Sequence, residues 1–131
     1  ERVGIAVPAS NRSVSQLSGG QRQAVAIGRA VAWARKVIIL DEPTDPLGAR
    51  QAGEVLEVIK EAKKKGLGVI FISHTLPHVL EVTDRIVVLR LGKVVRDAPT
   101  SEFTGDTLVG TITGTIQTIP EEAVESALPN R

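Results

Sequence analysis

A chain of 131 residues with 42% apolar content has room for one ordinary domain around one core. Its net charge of +1 gives no strong field for nucleic acid, and the absence of cysteine excludes disulfides and thiolate metal sites, which fits a reducing compartment. No apolar run approaches the roughly 20 residues of a membrane-spanning helix, and the first residues do not read as a secretory leader, so any membrane association is expected through a partner protein.

Residues 1 to 16 are polar, with no assignable period. A helix is expected from Ser18, which can cap it, with Gln21 in capping-box position three residues later. Ala24, Ile27, Gly28, Val31 and Ala34 then recur at helical spacing, and the small residues Ala24, Ala26, Gly28 and Ala30 predict close packing against another element. Val37 to Leu40 is a continuous apolar run, which predicts a strand covered on both faces. Asp45 suits an N-cap and Pro46 the first helical position after it. Ala52, Val55, Leu56, Ile59 and Ala62 form an apolar stripe. That helix should end at Lys63-Lys64-Lys65, where cations complement the dipole, with Gly66 as a left-handed cap. Gly68 to Ser73 reads as a second buried strand, followed by His74, and Leu76 to Val82 as a short helix. Arg85 to Leu89 reads as a third strand. Leu91-Gly92 then turns the chain into Lys93 to Arg96 as an antiparallel hairpin. Residues 100 to 119 have no clear period beyond a short helix from Asp106. The tail after Pro120 allows one or two helical turns or disorder. Strand, helix, strand, helix, strand predicts an α/β fold with a largely parallel sheet.

In open α/β sheets ligands bind beyond the carboxyl ends of the strands, and Asp41, Glu42 and His74 all fall at such ends. Two adjacent carboxylates after four apolar residues are costly to leave unpaired near a core, and magnesium bound to phosphate would resolve that cost. Taken singly, each feature has a plainer reading. Asp-Glu-Pro can be a polar loop, a histidine after a strand can be structural, and Ser-Gly-Gly is a common turn. The string Leu17 to Gln21 is different, because at average residue usage its chance occurrence in such a chain is on the order of 10⁻⁴. As a helix N-terminus it presents free backbone N–H groups and the positive dipole end to a phosphate.

Leu17 to Gln21 resembles the signature motif of ATP-binding cassette (ABC) ATPases. Val37 to Glu42 resembles their Walker B strand with its catalytic glutamate, His74 matches the switch histidine, and Asp45 to Gly48 occupies the D-loop. The resemblance covers roughly residues 12 to 98. Ser15 to Gln23, Ile27 to Ala30 and the Gly48 ending of the D-loop are most similar to cassettes for bacterial sugar uptake of the ribose, xylose and fructose type. The resemblance implies a partial phosphate-loop NTPase fold over residues 1–116, a largely parallel sheet with flanking helices and a C-terminal hairpin, with a tail at 117–131. It implies ATP and Mg²⁺ as cofactors, with Asp41 serving the metal, Glu42 the attacking water and His74 the γ-phosphate. Ser18, Gly19, Gly20 and Gln21 would close over ATP held by a second cassette, in a homodimer. The other implied partners are integral-membrane permease subunits and, indirectly, a sugar-binding protein outside the membrane. The implied location is the cytoplasmic face of the membrane, and no nucleic acid is implied.

Departures from the family pattern are specific. No Gly-x-x-x-x-Gly-Lys-[Ser/Thr] occurs, since Gly92-Lys93 is followed by Val94 and lacks the upstream glycine. The adenine-stacking aromatic residue and the glutamine loop are also missing, and all three would precede residue 1 in a complete cassette. The chain begins at Glu1 rather than a methionine and is expected to be a fragment or processed product, inactive alone. Asp45-Pro46 and Gly48 stand where the D-loop more often carries small residues and an aspartate. Two other readings stay open: an ABC ATPase outside transport, in DNA repair or translation, and a non-catalytic fragment.

Overall fold

Ser18 opens the first helix as the sequence predicts. The computed structural model describes residues 13–45 and 47–116, so residues 1–12, Pro46 and the tail from 117 lie outside the described residues. Helix α1 (Gly19–Trp33) begins with a complete capping box. The Ser18 Oγ accepts from the Gln21 N–H at 3.3 Å, while the Gln21 side chain accepts from the Ser18 N–H at 2.9 Å. Such a cap contributes about 1 kcal/mol by satisfying donors that the helix cannot use. Ile27 is the buried residue of α1; of the small residues expected to pack closely, Ala24 and Gly28 are half-buried, whereas Ala26 and Ala30 are exposed.

Strand β1 (Val37–Asp41) pairs in parallel with β2 (Gly68–Ile72), from Val37 opposite Gly68 to Asp41 opposite Ile72. Between them runs α2 (Ala49–Lys64), and after them the short α3 (Leu76–Val82). The apolar stripe falls inward as expected: Ala52, Val55, Leu56, Val58, Ile59 and Ala62 are all buried. Of these, Val55, Leu56, Val58 and Ile59 pack with Ile27, Ile38, Leu40 and Val82 into the core of this first unit, which runs through Val82. The expected left-handed cap at Gly66 is present, with its N–H on the Lys63 carbonyl at 2.8 Å. Lys63 reaches the Val82 carbonyl and Lys60 bridges Glu57 and Glu81, tying α2 to α3.

Two expectations are corrected here. The apolar run in β1 is covered on one face only: Ile38 and Leu40 are buried, while Val37 and Ile39 are 57% and 65% exposed. Their neighbours Ile70 and Ile72 on β2 share the open face. A strand points alternate side chains to opposite faces, and the helices packed in this core cover one of the two. The second correction concerns the cap of α2. Gly48, not Asp45, is the N-cap, and its N–H donates to the Gln51 side chain at 3.2 Å. Asp45 is already used in a turn, its N–H on the Glu42 carbonyl at 3.3 Å and its carboxylate facing His74.

The second unit runs from Thr83. It holds the antiparallel hairpin β3 (Arg85–Arg90) and β4 (Lys93–Pro99), with a register shift at Val88/Leu89, and then α4 (Gly105–Thr113). Leu91 and Gly92 both have positive φ, the left-handed pair that a two-residue hairpin turn with native twist requires. Strand β4 extends beyond Arg96 to Pro99, and α4 starts at the Thr104 cap rather than at Asp106. Ile86, Val88, Ala98, Phe103 and Leu108 are buried, with the Arg96 guanidinium 4.5 Å over the Phe103 ring.

The one-sided core makes a contrast that can be measured. Ile59, 1% exposed, should cost about 2–5 kcal/mol on truncation to alanine. Ile39→Ala on the open face should cost about 0.5 kcal/mol or less. Urea unfolding of the chain checks both, and equal losses would contradict the arrangement.

Candidate functional site

The ends of β1 and β2 meet in a hydrogen-bonded cluster. Glu42 follows β1 with φ of 45°, a left-handed backbone that a residue with a side chain adopts only when its surroundings hold it there. Its N–H donates to the Ile72 carbonyl at 2.9 Å, which extends the parallel ladder by one step. The carboxylate then takes three bonds from the end of β2. The Ser73 hydroxyl donates to Oε2 at 3.1 Å, the His74 N–H donates to Oε1 at 3.0 Å, and the His74 Nδ1 lies 2.9 Å from the same oxygen. The far nitrogen of His74, Nε2, lies 3.4 Å from Asp45 Oδ1. The imidazole therefore sits between two carboxylates.

The electrostatics follow from these contacts. Partial burial pushes the Glu42 carboxyl up, but the hydrogen bonds from His74 and Ser73 and the charge of His74 outweigh it and hold it below the usual carboxylate range. The hydrogen bond and charge of Glu42, with a smaller contribution from Asp45, raise His74 above its ordinary value. Each partner favours the charged form of the other.

Of the residues singled out in the sequence, Glu42 and His74 are thus brought into direct contact. Asp41 is the last residue of β1 and is exposed, opposite Ile72. Among the described residues no group of three or more His, Asp or Glu side chains forms a metal cage. Magnesium commonly takes one or two protein carboxylates with phosphate and water oxygens, so Asp41 fits as a single ligand and not as part of a closed site.

The signature residues occupy the N-terminus of α1. Gly19 and Gly20 contribute N–H groups that have no acceptor within a helix. Because the Ser18 hydroxyl accepts from Gln21, its own proton remains free to be donated to an anion. The Gln21 side chain is folded back into the capping box. Gly20 faces Leu47: a Cβ there would lie 3.0 Å from the leucine Cδ2, whereas nothing comes within 4 Å at Gly19. The signature turn therefore abuts the loop that follows Glu42.

Sequence reasoning missed Ser73, the pairing of Asp45 with His74, and a bond between Thr44 and His78 at 3.1 Å. Ser73 could have been found, because it stands directly before His74 at a strand end. The Thr44–His78 pair joins residues far apart in the chain and leaves no local signal.

Comparison with known proteins places the chain among ATP-binding cassettes. A family model described as ABC transporter matches residues 1–45. The chain is 44% identical over 114 residues to the fructose import ATP-binding protein FrcA of Rhizobium meliloti, covering 87% of this chain and 44% of that protein. It is 50% identical over 91 residues to the xylose/arabinose import ATP-binding protein XylG of Sulfolobus acidocaldarius, covering 70% and 36%. A dimeric post-hydrolysis structure of the ATP-binding cassette MJ0796 bound to ADP and Pi aligns with a TM-score of 0.65 at 29% identity, over 75% of this chain and 42% of that one. The chain thus spans less than half the length of the relatives it matches. Across the span that it has, in sequence and in fold, the chain matches the ATP-binding domain of ABC transporters.

Proposed function

We propose that the chain is the signature-to-switch part of a cassette that binds and hydrolyses ATP to power carbohydrate import. Its main support is the Glu42 carboxylate, ionised and held in a strained backbone at the end of β1 by Ser73 and His74. Residues kept in such conformations cluster at functional sites. The similarity to fructose and xylose/arabinose import proteins supports the choice of carbohydrate.

In this reading Glu42 Oε2, which among the described residues carries only the Ser73 bond, orients a water and takes up its proton as the water attacks. His74, drawn toward its cationic form by two carboxylates, faces the negative charge of the terminal phosphate. Asp41 would hold Mg²⁺, which when bound neutralises phosphate charge. Gly19 and Gly20 N–H groups and the Ser18 hydroxyl would meet the phosphate held by a second, identical cassette, with Gln21 bracing that turn. Closure of the two copies would drive permease subunits at the cytoplasmic face of the membrane, fed from outside by a sugar-binding protein. Among the described residues no helix is long and apolar enough to cross a membrane, which is compatible with docking on a permease. The signature-to-switch segment over residues 1–116 and a separate tail at 117–131 complete the proposal.

The chain has no phosphate loop, and so lacks the lysine and backbone cradle that supply most triphosphate affinity. The 131 residues alone should therefore bind ATP weakly and show no Mg-dependent turnover in a phosphate-release assay. Detectable turnover by the pure chain would overturn that. In a complete cassette, Glu42→Gln should lower turnover by about 10²-fold or more and trap an ATP-bound dimer on size-exclusion chromatography. Normal turnover by that variant would remove Glu42 from the proposed role.

The Glu42–His74 pair also sets a pH window. The raised His74 contributes stability that is fully present below the pKa of unfolded histidine and is lost as pH rises through its folded value. The lowered Glu42 contributes stability present above its unfolded pKa and lost as pH falls through its folded value. NMR titration should find His74 above free imidazole, and Glu42→Gln should bring it down. An unchanged midpoint in that variant would show the pair to be uncoupled in solution.

A further inference from the structure

Thr44 is 4% exposed, two residues beyond Glu42, in a turn whose own bonds are long. The Asp45 N–H reaches the Glu42 carbonyl at 3.3 Å and the Leu47 N–H reaches the Thr44 carbonyl at 3.2 Å. A buried hydroxyl is stable only with a partner, and Thr44 Oγ1 finds it in His78 Nδ1 at 3.1 Å. His78 belongs to α3, the helix that follows His74. Its N–H donates to the Thr75 carbonyl at 3.0 Å, and the Thr75 N–H donates to the Ser73 Oγ at 3.1 Å. Ser73 in turn donates to Glu42 Oε2. The bonds close a ring: from Glu42 along the backbone to Thr44, across to His78, back through Thr75 to Ser73, and onto the Glu42 carboxylate.

We propose that His78 is a positioning residue, whose bond to Thr44 pins the turn after β1 against α3 so that Glu42 and Asp45 are held on the two sides of His74. Glu42 needs such support, because a positive φ on a residue with a side chain relaxes unless the chain is held beyond it as well as before it. On the strand side, the bond to Ile72 and the carboxylate contacts supply it. On the other side, Thr44–His78 is the part-buried anchor, whereas Asp45–His74 is exposed and long at 3.4 Å. Leu47 packs on Gly20, so the same pinned turn also backs the start of α1. The geometry is independent of what the site does. Its consequence for hydrolysis rests on the function proposed for Glu42 and His74.

The chain has two histidines, so their ring signals separate with one substitution. The test is an NMR titration of ¹⁵N-labelled chain, with amide dispersion and melting recorded to establish that each variant is folded. Thr44→Val and His78→Leu should each move the His74 midpoint down toward that of free imidazole. Thr44→Ser and His78→Asn, which keep a hydrogen-bonding group in place, should leave it near the original. If folded Thr44→Val or folded His78→Leu titrates like the parent, the proposal is overturned. Should one apolar variant unfold, the other decides by the same criterion. Should both unfold, folded Thr44→Ser and His78→Asn variants that keep the parent His74 midpoint support the link by rescue, and a lowered midpoint in both with Tm unchanged overturns it. In a complete cassette, Thr44→Val should lower kcat about ten-fold with KM for ATP unchanged. A moved His74 midpoint with unchanged kcat would keep the positioning link and instead discard the hydrolytic role given to Glu42 and His74.

Discussion

One carboxylate holds the site together. Glu42 takes hydrogen bonds from Ser73 and from the backbone and ring of His74, and so closes the open end of the β1–β2 pair. Parallel strands joined through a helix have no turn at that end to fix their spacing, so the register from Val37 opposite Gly68 to Asp41 opposite Ile72 would fray there first. The Glu42 N–H on Ile72 and the Glu42 side chain on Ser73 and His74 continue the ladder past the last regular pair. The same contacts make the carboxylate a stronger acid and the imidazole a stronger base than either would be alone. Structural closure and chemical tuning are therefore one interaction.

Much of this was legible in the sequence where the signal was local. The Ser18–Gln21 capping box, the inward stripe of α2, the Gly66 cap and the Leu91-Gly92 turn each depend on residues within a few positions of one another, and each formed as expected. The cover of β1 was not legible. A continuous apolar run says that either face tolerates burial, and only tertiary packing decides that Ile38 and Leu40 go in while Val37 and Ile39 stay out. The cap of α2 failed for a related reason. Asp45 has good capping chemistry, but facing His74 is a competing use that local sequence does not display, and the cap fell to Gly48 with Gln51.

The candidate site divided along the same line. Asp41, Glu42 and His74 were readable because strand ends are where open α/β sheets place ligands. Ser73 and Asp45 were missed because their importance lies in what they do for Glu42 and His74 and not in their own type. Thr44 and His78 were missed because a buried hydroxyl and an imidazole become partners only when α3 is laid against the turn after β1. Positional support is non-local by nature, whereas candidate reactive groups announce themselves by residue type and spacing.

The charges at the site argue about which ligand it can accept. His74 and the helix start at Gly19 and Gly20 are the positive features, while Asp41, Glu42 and Asp45 are negative and lie at or beyond the end of β1. A bare polyphosphate approaching Asp41 and Glu42 would meet like charge, which water at these largely exposed positions reduces to about 1 kcal/mol per pair of charges roughly 4 Å apart. His74 cannot offset this by itself, because its imidazole is already engaged by the two carboxylates that flank it. This charge pattern favours the proposed ligand, a phosphate that arrives with a divalent cation and is held mainly elsewhere. In the proposed function, affinity is supplied from outside and chemistry by Glu42, a division of labour that the placement of these charges favours.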